Sequence, residues 1–90
     1  MPECTVTPIS SDRFRVVVSD AGSSTTHIVT VRGRDVERYA KGCDARGLVE
    51  ASFRFLLDRE TKESILSEFD LSVIERFFPE YPRVIRSLLS

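Results

Sequence analysis

Leu48-Val-Glu-Ala-Ser-Phe-Arg-Phe-Leu-Leu57 is the stretch that decides the fold, and only Glu50, Ser52 and Arg54 interrupt its apolar run. Read as a helix, Leu48, Ser52, Phe55 and Leu56 form one stripe, and Val49, Phe53, Leu56 and Leu57 form the stripe beside it. Together they make an apolar arc wider than a surface helix needs. Such a helix has to be covered on most of its circumference, so strands before it and helices after it are both expected to pack on it. Asp44 is placed to cap it, and it is predicted over 45–58.

Upstream, period-two patterns dominate. Thr5 to Ile9 alternates weakly around Pro8 and reads as an edge strand or a lead-in. Ser10-Ser11-Asp12 is a turn signal, and Phe14 to Val18 is a strand with Phe14, Val16 and Val18 on one face. Asp20-Ala-Gly-Ser-Ser reads as a loop, with His27 to Val31 as the next strand. An antiparallel register setting Val18 against His27, Val16 against Val29 and Phe14 against Val31 gathers the core face. The outward face then carries Val17 opposite Ile28, Arg15 opposite Thr30, and Arg13 near Arg32.

Downstream, the period becomes helical. Asp35 is a cap for a short helix with Val36, Tyr39 and Ala40 inward, stopped by Gly42. Thr61 is a cap for another helix, with Ile65, Leu66 and Phe69 facing in. Ser72-x-x-Glu75 has the capping-box form and opens a helix carrying Val73, Ile74, Phe77 and Phe78, ended by Pro79. Pro82 suits the first turn of a last helix, with Val84, Ile85, Leu88 and Leu89 on one side. The expectation is α+β: an N-terminal antiparallel sheet of two or three strands (about 5–32), then four or five short helices (about 35–89) around helix 45–58. All of residues 1–90 form one domain.

The totals narrow the function classes. The 90 residues are 41 % hydrophobic and 30 % charged, the formal net charge is −1, and there is no global pull toward nucleic acid or acidic membranes. No apolar run reaches the length of a membrane span. The start, Met-Pro-Glu-Cys-Thr, lacks a basic region and an apolar core, so a cytoplasmic location is expected. Cys4 and Cys43 lack metal-site spacing, and with His27 as the single histidine no metal is expected; two free thiols suit a reducing compartment. No cofactor signature is present: the Gly-Ser loop lacks a P-loop Lys and does not lead into a helix.

Catalytic sets can be drawn but are weak. Asp20, His27 and Ser23 or Ser24 sit at one hairpin end, yet His27 belongs to the apolar face of its strand and the loop composition is ordinary. The chain contains no Asn, which excludes a Cys-His-Asn site. No catalytic residue is assigned. Segment 61–78 has a helix–turn–helix outline, but its second helix offers only Arg76 for phosphates or base edges. Arg13, Arg15, Arg32, Arg34 and Arg38, with Lys41 beyond, form a basic surface, although no aromatic is left on that face for base stacking.

The block Phe55-Leu-Leu-Asp-Arg-Glu60, Glu63-Ser-Ile-Leu66 and Phe69-Asp-Leu-Ser-Val-Ile-Glu-Arg-Phe-Phe-Pro-Glu-Tyr81, with the hairpin pattern, resembles a group of short, uncharacterised bacterial proteins. The resemblance implies no activity and no site residues. Asp12 to Asp20 is also similar to the opening strand of HicB-like antitoxins, but the Pro-Gly-Cys turn of that family does not follow, so no role is carried over.

These observations favour a non-enzymatic protein-interaction module that self-associates as a homodimer. The expected surface is Val17 and Ile28, flanked by Arg13, Arg15 and Arg32. The competing expectation is a small nucleic-acid-binding regulator using segment 61–78 or the arginine face. The alternative to that dimer sets the last helix, with Val84, Ile85, Leu88 and Leu89, over the same second face of its own sheet.

Overall fold

The computed structural model describes residues 2–40, 42 and 44–89. It shows a mixed α+β fold in which one four-stranded sheet, in the order β1-β2-β3-β4, is covered on one face by helices. The strands are β1 (Glu3–Pro8), β2 (Arg13–Asp20), β3 (Ser23–Thr30) and β4 (Glu68–Asp70). The helices are α1 (Gly33–Asp35), running into a π-helical turn (Val36–Ala40), then α2 (Ala45–Leu57), α3 (Val73–Phe77) and α4 (Tyr81–Leu89).

The central helix forms where its apolar run begins. The Asp44 side chain accepts from the Gly47 N–H at 2.7 Å, satisfying one of the donors that open α2. Leu48, Val49, Phe53 and Phe55 are wholly buried beneath the sheet and α4. Ser52 is buried too. Its hydroxyl donates to the Leu48 carbonyl at 2.7 Å, and since it has one proton to give, it accepts from the Tyr81 hydroxyl at 2.6 Å. That bond ties α4 to the middle of α2.

The hairpin keeps its expected faces but shifts register by two residues. Phe14 pairs with Val29, Val16 with His27, and Val18 with Thr25. The chain reverses in a two-residue turn at Ala21 (φ 54°) and Gly22 (φ 80°), so Asp20 and Ser23 already pair where a longer loop was expected. A slip of two residues preserves which side of the sheet each side chain occupies. Phe14, Val16, Val18, Val29 and Val31 accordingly all lie in the core. β1 is a true strand, with Val6 pointing into the core.

The largest correction falls on the segment after α2. The helix expected from Thr61 to Phe69 is a single 3-10 turn (Lys62–Ser64) followed by β4, which runs parallel to β3. β3 would otherwise leave backbone groups open on that edge. Ile28 N–H donates to Ser67 O at 2.8 Å, and Thr30 O accepts from Leu71 N–H at 2.9 Å. Phe69 enters the core while Glu68 reaches Arg13 at 2.8 Å and Asp70 reaches Arg32 at 3.2 Å. The helix–turn–helix outline therefore lacks its first helix. A parallel pair needs a crossover, which α1, the π-turn and α2 supply.

Two caps also differ. Asp35 lies inside the first helical turn and accepts from Arg32 N–H at 2.9 Å, rather than standing at the N-cap. Ser72 makes no side-chain cap, since its backbone is already helical (φ −62°, ψ −17°), and the Glu75 carboxylate, the other half of the expected box, instead takes Tyr39 Oη at 2.6 Å and Arg38 at 3.0 Å. α4 packs on α2 and the π-turn, not over the sheet's second face, and Leu88 stays 42 % exposed. No described helix is long and apolar enough to cross a membrane.

Candidate functional site

The outward sheet face brings the expected surface residues together. Rows of directly opposed residues on that face read Thr5–Val17–Thr26, Thr7–Arg15–Ile28–Glu68 and Arg13–Thr30–Asp70. Val17 and Ile28 are thus diagonal neighbours, not opposed, and both are half-buried among threonines. β4 adds Glu68 and Asp70, which neutralise Arg13 and Arg32, whereas Arg15 has no ion-pair partner among the described residues. Arg38 lies elsewhere, paired with Glu75 and set 5.4 Å from the Tyr39 ring. Lys41 lies outside the described residues. The face is open, but it is threonine-rich and charge-balanced rather than apolar or basic.

His27 is a structural histidine. It is 2 % exposed, and its ring lies tilted against Phe53 with centroids 5.5 Å apart. Its Nδ1 lies 2.8 Å from the Leu66 carbonyl, which can only accept, so Nδ1 donates there, and Nε2 hydrogen-bonds with Thr25 Oγ1 at 2.8 Å. Neither Ser23 nor Ser24 reaches it, and the Ser23 hydroxyl donates to the Asp20 carbonyl instead. Cys4 is a free, half-buried thiol whose pKa is pushed up by burial. The expectation that Cys43 is likewise a free thiol falls on a residue outside the described ones. No group of three or more His, Cys, Asp or Glu suited to a metal occurs among the described residues.

A concave site lies toward the β4 edge of the sheet, opposite β1. It is a groove of about 410 Å³ between the C-terminal end of α2, the 62–66 turn, β4 and α3. Its floor is Leu56, Ile65, Phe69 and Ile74, and its lips are Leu66 and Phe77. Both lips are apolar and solvated, with Leu66 50 % and Phe77 67 % exposed.

The local chain path accompanies these exposures. The extended chain at 65–66 alternates, so Ile65 goes in and Leu66 goes out, while the Leu66 carbonyl is anchored by His27. α3 has five residues, and its inward face is filled by Ile74 while Phe78 packs edge-on against Phe55 at 5.6 Å. Phe77, the last residue of α3, is left at the groove mouth in solvent. The sequence reading placed both Leu66 and Phe77 inside, since both share an apolar set with true core residues.

One carboxylate overlooks this groove. Glu60 is half-buried at its rim, burial raises its pKa, and no cation stands within ion-pair distance among the described residues. The neighbouring charges are spoken for: Arg59 holds Glu80 at 3.3 Å, and Lys62 holds Glu63 at 2.8 Å. Comparison with family models, with curated proteins and with solved structures finds no match to this chain.

Proposed function

We propose that this chain is a non-enzymatic protein-interaction module whose partner docks in the groove between Leu66 and Phe77. The observation that carries the reading is the pairing of an apolar floor with two large, solvated apolar lips. Covering Phe77 alone would contribute about 1–2 kcal/mol, since full burial of such a side chain is worth roughly 1.5–3 kcal/mol. Hydrophobic anchors beside a pocket are where interface energy concentrates.

Glu60 fixes the chemistry of the occupant. An unpaired, partly desolvated carboxylate at the mouth favours a cationic side chain and disfavours an acidic one. The partner is therefore an amphipathic segment with two or three apolar anchors and a Lys or Arg beside them.

Selection of displayed peptides tests this. Wild-type protein should enrich apolar sequences with a flanking basic residue, and Phe77→Glu or Leu66→Glu should abolish their capture while leaving the fold intact by circular dichroism. Enriched peptides that bind both variants as well as wild type would overturn the proposal.

A further inference from the structure

The free edge of β1, on the opposite side of the sheet from the groove, carries a second pattern. Ile9 N–H donates to Arg13 O at 3.0 Å, and these two residues are opposed when the β1–β2 register is continued. Hydrogen-bonded pairs recur at every second residue of an antiparallel ladder. Glu3, Thr5 and Thr7 therefore turn their backbone groups toward β2, and Cys4, Val6 and Pro8 turn theirs to the open edge. Pro8 has no N–H to lose there, and neither has Pro2. The outward donors are Cys4 and Val6, bracketed by prolines, and no backbone group among the described residues bonds to either.

α2 runs beneath this same edge. Cys4 and Pro2 share a concavity with Glu50, Arg54 and Asp58. The exposed stripe of α2 is Arg46, Glu50 and Arg54, continued by Asp58 just past its end. At four-residue spacing the charges alternate. Laid antiparallel against itself about the midpoint of Glu50 and Arg54, the stripe sets Arg46 against Asp58 and Glu50 against Arg54, opposite signs throughout. Arg54 and Asp58 have no ion-pair partner among the described residues, while Glu50 is shared with Arg46 at 3.3 Å.

We propose that a second copy of this chain pairs antiparallel with β1 across a two-fold axis through Thr5, bringing the two α2 charge stripes side by side. Cys4 and Val6 each exchange backbone hydrogen bonds with Val6 and Cys4 of the second copy, so all four outward donors are satisfied. Two four-stranded sheets become one of eight strands, with both helical layers on the same side. Pro2 of each copy falls opposite Pro8 of the other, which limits the pairing to this length. Closure by a two-fold uses both β1 edges and leaves none for further growth. The arrangement does not depend on the groove, which it leaves exposed at each end of the dimer.

Cysteine placement tests the register. In a Cys4→Ser/Cys43→Ser background, Thr5→Cys faces its own copy in a non-hydrogen-bonded pair, with Cα atoms about 4.5 Å apart, within disulfide range. Thr7→Cys would lie about 13 Å along the strand from its counterpart, at roughly 3.4 Å per residue. Mild oxidation should crosslink the first variant and not the second. In sedimentation at tens of micromolar, wild type should run at twice the monomer mass. Glu50→Arg should weaken the dimer roughly tenfold, about 1.4 kcal/mol, and Glu50→Arg/Arg54→Glu should restore it. Cys4→Pro removes an outward N–H without touching the β1–β2 ladder, and should give a folded monomer. A monomeric wild type, equal crosslinking of the two cysteine variants, or failure of the double charge reversal to restore association would each overturn the proposal.

Discussion

Removing the buried bond between Ser52 and Tyr81 should produce unequal costs from its two ends. Both residues are wholly buried, and the bond is 2.6 Å long. Ser52 gives its single proton to Leu48 O, so Tyr81 is the donor across the bond. Ser52→Ala strands that phenolic donor in the core, at about 1–3 kcal/mol for an unsatisfied buried group. Tyr81→Phe removes the donor itself and leaves Ser52 still bonded to Leu48 O, at about 0.5–1.5 kcal/mol. The double variant leaves no stranded donor, so its cost should fall below the sum of the singles by about 1 kcal/mol. Equilibrium unfolding in urea, with a shared slope across the four proteins, measures all three. Additive costs, or Tyr81→Phe costing more than Ser52→Ala, would refute the assignment of donor and acceptor.

Phe55→Ala should cost about 3–5 kcal/mol in the same assay, as buried aromatic truncations do, whereas Arg54→Ala in dilute monomer should cost under about 0.5 kcal/mol. Alkaline unfolding should be steep. Burial and the Glu75 carboxylate hold the Tyr39 hydroxyl protonated up to about 12, and burial pushes Tyr81 up as well. Both gains are complete below pH 10, where the unfolded tyrosines are also protonated; above it the unfolded state loses protons first. Stability should then fall by about 1.4 kcal/mol per pH unit for each tyrosine, and Tyr39→Phe should reduce that slope. Glu60→Gln should raise the melting temperature at pH 7, because burial raises the Glu60 pKa and so disfavours the ionised form in the folded state. The same change should weaken capture of basic peptides.

The elements legible in the sequence were those with redundant signals. α2 combines a cap at Asp44 with apolar residues on nearly every side, and it runs from Ala45 to Leu57. The hairpin's core face survived a register error because a two-residue slip conserves parity. The slip itself arose because Ser23 and Ser24 look like loop residues, while the tight turn needs only Ala21 and Gly22 at positive φ. β4 was illegible for a different reason. Three residues cannot separate a period of two from 3.6, and Ile65, Leu66 and Phe69 also fit a helix. The one available signal was the pair of carboxylates flanking Phe69, spaced to meet arginines on a sheet face. The groove followed from β4 and from the shortness of α3, so neither Leu66 nor Phe77 could be read as exposed. On the face of Val17 and Ile28, β4 adds Glu68 and Asp70 beside Arg13 and Arg32, a charge balance that the strand pattern upstream of Thr30 does not contain.

Amide shift mapping of labelled protein with a selected basic amphipathic peptide addresses the docking site most directly. The expected result is saturable perturbation confined to Glu60, the 64–66 segment, Phe69 and the 73–78 helix, absent in Phe77→Glu. Perturbations centred instead on Val17, Ile28 and Arg15, with the groove amides unmoved, would contradict it and return the interaction to the open face of the sheet.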